Sequence, residues 1–184
     1  PYYRADLLAT TQEMLANRYL LMCPSPLPTI IVPARLASVR FPGKLLADAG
    51  GKPLILRTAE RLRQEVPDFD VFFAVDGDEL AGILREEGFE VVITDPDLPS
   101  GTDRIAQANQ TLGRESAINV QADEPMVERS HVLALAGALE KEGAAMSTLA
   151  VPFSRKQDFL DPNQVKVVLD QEGYALYFSR APIP

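Results

Sequence analysis

Thr29-Ile30-Ile31-Val32-Pro33, continued by Ala34-Arg35-Leu36-Ala37-Ser38-Val39-Arg40-Phe41-Pro42-Gly43-Lys44, decides how this chain is read. The apolar run, with Ile30–Pro33 as its body, reads as a strand buried on both faces, as a parallel sheet requires. The residues after it gather Arg35, Arg40 and Lys44 with Ser38 and Gly43 in one loop. In an open α/β sheet, ligands bind in the crevice beyond the carboxyl ends of the strands. Cations at that place suit a polyphosphate, because Arg supplies a planar fork of donors and Lys a compact point charge. The other reading is a solvated basic loop. Against a formal charge of -8 for the whole chain, however, the cationic cluster stands out. The expectation is a phosphate-handling loop.

Outward from this stretch, strands and helices alternate. Pro53–Leu62 reads as a helix, with Pro53 suited to its first turn. Asp70–Asp76 is a second buried strand, 77–87 a helix, and Phe89–Thr94 a third strand. Thr102–Leu112 is helical, Ser116–Gln121 is strand four, Arg129–Glu142 a helix, and Ala145–Phe153 a fifth strand. Gln164–Asp170 and Tyr174–Arg180 read as strands joined at Gln171-Glu172-Gly173, a hairpin signal. Short loops between alternating elements argue for an α/β fold with a doubly wound, mainly parallel sheet, the hairpin giving a mixed edge. Toward the N-terminus, Tyr3–Met22 reads as an amphipathic helix carrying Leu7, Leu8, Met14, Leu15 and Leu20. Pro24, Pro26 and Pro28 then impose an extended linker. The expected organisation is an extension over 1–28 and one domain over 29–184.

Composition narrows the function classes. There is no run of 18 apolar residues, so no membrane span is expected, and no basic region followed by an apolar stretch to suggest a secretory signal. Cys23 is the only cysteine, which excludes an internal disulfide and suits a reducing, cytoplasmic setting. Net acidity argues against binding DNA or RNA, which rests on neutralising many phosphates, but leaves room for one nucleotide in a basic pocket. One histidine, His131, supports no Ser-His-Asp grouping. Neither G-x-x-x-x-G-K-[ST] nor G-x-G-x-x-G is present, which sets aside the P-loop enzymes and typical dinucleotide binders.

In a parallel sheet, four polar segments fall on one rim: Arg35–Lys44, Asp76-Gly77-Asp78, Ser100-Gly101-Thr102-Asp103-Arg104, and Gln121-Ala122-Asp123-Glu124-Pro125. Asp123 is the natural metal candidate, since a strand-end carboxylate can hold Mg²⁺ while substrate phosphates supply further oxygens. Asp123 and Glu124 can equally be turn acids ahead of Pro125. Ser100–Asp103 serves as a helix cap or as a nucleotide-facing segment. Asp76-Gly77-Asp78 and Gly50-Gly51 read as turns.

Taken together, these loops resemble the sugar-acid cytidylyltransferases, most closely the branch using 3-deoxy-manno-octulosonate (KDO). The matching segments, in order, are Ile31–Arg35 with Ser38, Arg40 and Pro42-Gly43-Lys44; Gly51-Lys52-Pro53; Ser100–Arg104; Asn119-Val120-Gln121 with Asp123-Glu124-Pro125; Leu149–Pro152; Val165–Asp170; and Gly173–Arg180. The resemblance covers 29–184. It implies a Rossmann-like nucleotide-diphospho-sugar transferase fold and the joining of CTP and KDO to CMP-KDO with release of pyrophosphate, a step of lipopolysaccharide biosynthesis. It implies nucleotide contacts from Ala34, Arg35, Ser38, Arg40, Lys44, Ser100, Gly101, Thr102 and Arg104. A catalytic set of Arg35, Lys44, Gln121 and Asp123 is implied as well, with Mg²⁺ on Asp123. A possible homodimer is implied by the resemblance too, whereas the expectation of no nucleic-acid or membrane partner rests on the composition. Alternatives are a relative that holds a nucleotide without turnover, or an enzyme for amino-KDO or sialic acid. Three departures stand out, one being that residues 1–28 match no part of the family pattern. Ala122 occupies a position where the family usually has Gly. The chain also ends at Pro184, short of the segment that in the family carries a second acidic metal position, much of the sugar pocket and dimer contacts.

Overall fold

The computed structural model describes residues 27–37, 41–139 and 145–183. The expected helix over Tyr3–Met22, Cys23, the linker prolines Pro24 and Pro26, and the site candidates Ser38 and Arg40 lie outside the described residues. The chain divides into two units, Pro1–Ser147 and Thr148–Pro184.

In the first unit, β1 (Thr29–Ala34), β2 (Val71–Val75), β3 (Glu90–Ile93) and β4 (Ala117–Asn119) form a parallel sheet in the order β3-β2-β1-β4. The helices between them are α1 (Leu54–Glu65), α2 (Asp78–Glu86) and α3 (Gly101–Leu112), and α4 (Arg129–Leu139) follows β4. β1 is central and buried along its whole length, which is why its sequence is continuously apolar rather than alternating. Its side chains alternate between two cores. Ile30 and Val32 pack with Phe73, Ile55, Leu62, Leu80, Leu84 and Val132 on the face covered by α1, α2 and α4. Ile31 and Ala74 pack with Ala108, Ile105 and Leu112 on the face covered by α3. Helices on both faces make the sheet doubly wound, as the alternation of elements requires. Phe73 meets Phe89 edge to face at 5.6 Å between centroids, an arrangement worth about 1 kcal/mol beyond burial.

The strand order reverses between β1 and β4, since β2 and β3 lie on one side of β1 and β4 on the other. At such a switch point an open α/β sheet has its crevice, and Pro33 lies beside it. Ile30 donates its backbone N–H to Asp70 in the chain leading into β2, and Thr29 donates to Ser116 beside β4. Because alternate residues of a strand face alternate neighbours, position 33 faces the β4 side, where a proline offers no donor. Pairing with β4 stops two residues earlier, at Ile31 opposite Asn119. Beyond that pair, β1 and β4 are free to diverge.

The second unit holds a short helix, α5 (Lys156–Leu160), and the strands β5 (Lys166–Leu169) and β6 (Ala175–Ser179). These strands pair antiparallel around Gly173, whose φ of 87° suits the turn, and the Asp170 carboxylate accepts the N–H groups of Glu172 and Tyr174. Lys166 is buried, and its ammonium donates to the backbone carbonyls of Asp161, Gln164 and Arg180 at 2.6, 2.7 and 2.9 Å.

Two expectations are corrected. The hairpin forms a two-stranded sheet of its own, and the four-stranded sheet carries no antiparallel strand among the described residues. Order along the chain suggested a mixed edge, but a ladder depends on which edges meet. The expected strand over Ala145–Phe153 is absent: no described strand pairs with it, and Met146 and Val151 are 89% and 85% exposed. A short apolar run becomes a strand only where a neighbouring ladder takes up its backbone groups.

Candidate active site

The carboxyl ends of β1, β2 and β4 and the start of α3 share one rim. Ala34 closes β1 as a buried residue, and Arg35 immediately beyond it is exposed. The loop then returns on itself, with the Gly43 N–H donating to the Leu36 carbonyl at 3.3 Å. Gly43 sits at φ 69°, a left-handed conformation open to glycine at little cost, and this turns the chain into the short 3-10 helix Lys44–Leu46. Lys44 thereby points across the crevice, its Nζ 2.5 Å from Oδ2 of Asp123 in the segment after β4. Neither side chain is buried, at 44% and 35% exposed, so both remain open to a ligand.

On the β4 side, the Gln121 side-chain amide donates to Oδ1 of Asn119 at 2.8 Å, and Glu124 closes a turn back to the Gln121 carbonyl. Ala122 is buried in the core, and its carbonyl accepts the Thr58 hydroxyl at 2.9 Å. No described non-glycine residue has a positive φ, so the position needs no glycine for backbone reasons. Thr58 in α1 fixes this segment from beneath, a contact 64 residues apart that no local pattern signals.

At the start of α3, Ser100 is the N-cap: its hydroxyl accepts the Asp103 N–H at 3.2 Å and donates to the Asp103 carboxylate at 2.5 Å. The capping role accounts for that hydroxyl. Gly101 lies against the Pro33 ring, where an added Cβ would stand 3.3 Å from the ring's Cγ. The close approach brings the helix start beside the end of β1, and with it the free N–H groups and positive dipole end of a helix. Thr102 is exposed on the first turn.

Arg104 behaves differently, being only 1% exposed. One guanidinium nitrogen donates to the Thr94 hydroxyl, which itself donates to the Val75 carbonyl, and Nη2 has no hydrogen-bond partner among the described residues. Burial pulls its pKa below the usual arginine value; the Asp76 and Asp95 charges oppose that, and Arg35 adds to it. The group nonetheless remains a cation. Arg104 therefore supports the rim from below rather than standing on it. His131 lies in the first turn of α4, where its Nδ1 accepts the Glu128 N–H at 3.2 Å, and this local bond is the task the structure gives it.

Among the described residues, no group of three or more His, Cys, Asp or Glu side chains gathers to hold a metal unaided. The donor chemistry at Asp123 nevertheless fits Mg²⁺. A hard carboxylate oxygen already faces a cation, the Lys44 ammonium, and Mg²⁺ commonly needs one or two carboxylates when phosphate oxygens and water complete its shell.

Residues 29–184 match the cytidylyltransferase family model. Over 157 residues, the chain is 45% identical to 3-deoxy-manno-octulosonate cytidylyltransferase of Geobacter sulfurreducens, a match covering 85% of this chain and 63% of that relative. A solved structure of CMP:2-keto-3-deoxy-manno-octonic acid synthetase complexed with CTP superposes with a TM-score of 0.73 at 33% identity, over 85% of this chain and 65% of that one. A cytidylyltransferase from Leptospira borgpetersenii shares the fold, with a TM-score of 0.55 at 18% identity over 65% of this chain and 51% of its own. This chain thus spans less than two thirds of the length of these relatives.

Proposed function

The chain belongs to the cytidylyltransferase family, and from that premise we propose that it joins CTP to KDO, giving CMP-KDO and pyrophosphate. The observation that carries the reading is the pairing of Lys44 with Asp123 across the crevice where the strand order reverses. A cation on one wall and a metal-ready carboxylate on the other form a receptor for a triphosphate. The relatives named for this activity, and the CTP carried by one of them, support the choice of nucleotide and sugar.

The reaction asks the protein for position and charge more than for a covalent nucleophile. The anomeric hydroxyl of KDO attacks the α-phosphorus; the bond from that phosphorus to the β-phosphate oxygen breaks, pyrophosphate leaves, and the hydroxyl proton passes to solvent. Arg35 and Lys44, joined by Arg40 and Ser38 of the same loop, grip the triphosphate. The start of α3 at Gly101 and Thr102 offers N–H groups to the nucleotide, while Arg104 steadies the rim below. Asp123 would hold Mg²⁺, which when bound neutralises phosphate charge and stabilises the leaving pyrophosphate. Gln121 beside it orients the reacting groups through its amide. A homodimer working in the cytoplasm, within lipopolysaccharide synthesis, completes the reading.

The test is pyrophosphate release from CTP with KDO or sialic acid, in Mg²⁺ and then in EDTA. The reading predicts release with KDO that EDTA abolishes. Saturable CTP binding with no release from either sugar would replace it with a nucleotide-holding role, and release with sialic acid alone would reassign the sugar.

A further inference from the structure

We propose that Asp76 is a positioning residue that pins the triphosphate loop to the sheet through the Leu36 peptide. This deepens the proposed function and rests on it. The Asp76-Gly77 sequence at the end of β2 reads as a turn, and an aspartate serving only a turn would bond to N–H groups two or three residues onward. Its Oδ2 instead accepts the Leu36 N–H at 3.0 Å, 40 residues back in the chain. The same Leu36 accepts the Gly43 N–H through its carbonyl. Both backbone polar groups of Leu36 are thus committed: the carbonyl holds Gly43, which adjoins Lys44, and the N–H is fastened to Asp76 at the end of β2. Arg35 precedes the fastening point and Lys44 follows the closure, so the two described cations of the loop take their places from it.

A charged acceptor suits this position for a second reason. Arg104 is buried beneath the rim with Nη2 unpartnered among the described residues, and Asp76 is foremost of the two negative charges that offset its burial, the other being Asp95. Arg35 repels Arg104. Asp76 therefore bonds to the start of the loop while its charge offsets the burial of Arg104. Its role is to hold the Leu36 peptide, and it acts on the loop through that bond.

Amide hydrogen exchange in the ligand-free protein tests the fastening without any nucleotide. The Leu36 amide should be protected in the wild type. In Asp76→Ala its protection should fall by about tenfold or more while the β1 amides of Ile31 and Val32 keep theirs, consistent with losing one bond to a charged acceptor. Asp76→Asn retains an acceptor oxygen and should keep most of the Leu36 protection. In CTP titrations with Mg²⁺, Asp76→Ala should weaken binding by about tenfold, with the asparagine variant much closer to wild type. A Leu36 amide that exchanges in the wild type like an unstructured peptide overturns the proposal whether or not the alanine variant folds. Wild-type CTP binding matched by Asp76→Ala overturns it as well, while leaving the proposed function intact. A wild type that binds no CTP removes the function, and the exchange comparison still judges the fastening.

Discussion

Replacing Lys44 by alanine should separate stability from nucleotide affinity. The Lys44–Asp123 pair is 2.5 Å between heavy atoms, and its side chains are 44% and 35% exposed. Near a protein surface, unit charges about 4 Å apart attract by roughly 4 kcal/mol before costs. Desolvation and the ordering of a long side chain remove most of that, leaving about 0–1 kcal/mol for pairs this exposed. Urea denaturation of Lys44→Ala should therefore give a stability within about 1 kcal/mol of wild type. With a triphosphate present, the same ammonium meets several negative oxygens, and a charge-assisted bond lost there costs about 2 kcal/mol. Since 1.4 kcal/mol is a factor of ten, the Kd for CTP, read by calorimetric titration in Mg²⁺, should rise by about 30-fold. A folded variant whose Kd stays within about twofold of wild type would refute Lys44 as a phosphate ligand. A stability loss of about 3 kcal/mol or more would mean instead that the pair serves structure rather than ligand.

Other consequences can be measured separately. Mg²⁺ should tighten CTP binding to the wild type, and by reciprocity CTP should tighten Mg²⁺ binding; Asp123→Asn should lose most of this coupling, and equal coupling in both proteins would reject Asp123 as the metal ligand. Lys166→Met leaves three carbonyls without their ammonium donor and should destabilise the Thr148–Pro184 unit by about 3 kcal/mol or more, seen as lost amide protection in β5 and β6. Unchanged protection there would count against the lysine as its organiser. Arg129 donates to both carboxylate oxygens of Asp68, at 2.5 and 2.8 Å, and that bond holds the Asp68 carboxyl below the ordinary 3.8 although burial works the other way. A carboxyl lowered in the folded state adds stability above its unfolded pKa and loses it as pH falls through the folded value. The stability gap between wild type and Arg129→Ala should thus be widest above about pH 4 and narrow below it, and a gap independent of pH would contradict the pairing.

Much of this arrangement was legible because local chemistry and global fold agree. The continuous apolar run of β1 announced a strand buried on both faces, and the cations after it had to lie at its carboxyl end. Ser100 before a helix, with Asp103 three residues on, gave the start of α3. The start of the hairpin's second strand was likewise marked by Gly173. Where the reading failed, a backbone group or a missing ladder decided, and neither leaves a mark in the side-chain pattern. Met146 to Val151 looked like strand material, but no ladder meets it. Asp76 looked like half of a turn because its partner is the backbone N–H of Leu36, which no side-chain pattern reveals. Lys166 interrupts an apolar run and would be placed on the surface by its charge. It is buried because three loop carbonyls converge on it, one of them from Arg180 beyond the partner strand. That Ala122 needs no left-handed backbone was not legible either, because a residue's φ is not written in its neighbours.

CTP seated at the rim where β1 and β4 part should show in amide shift mapping of the labelled chain during a CTP titration in Mg²⁺. Saturable changes should appear at Leu36, Gly43 and Lys44, at Gly101 and Thr102, and across Asn119–Glu124. Saturable changes centred instead on the opposite rim, near Asp70 and Ser116 where β2 and β4 begin, or no saturable change anywhere, would remove the nucleotide from this crevice.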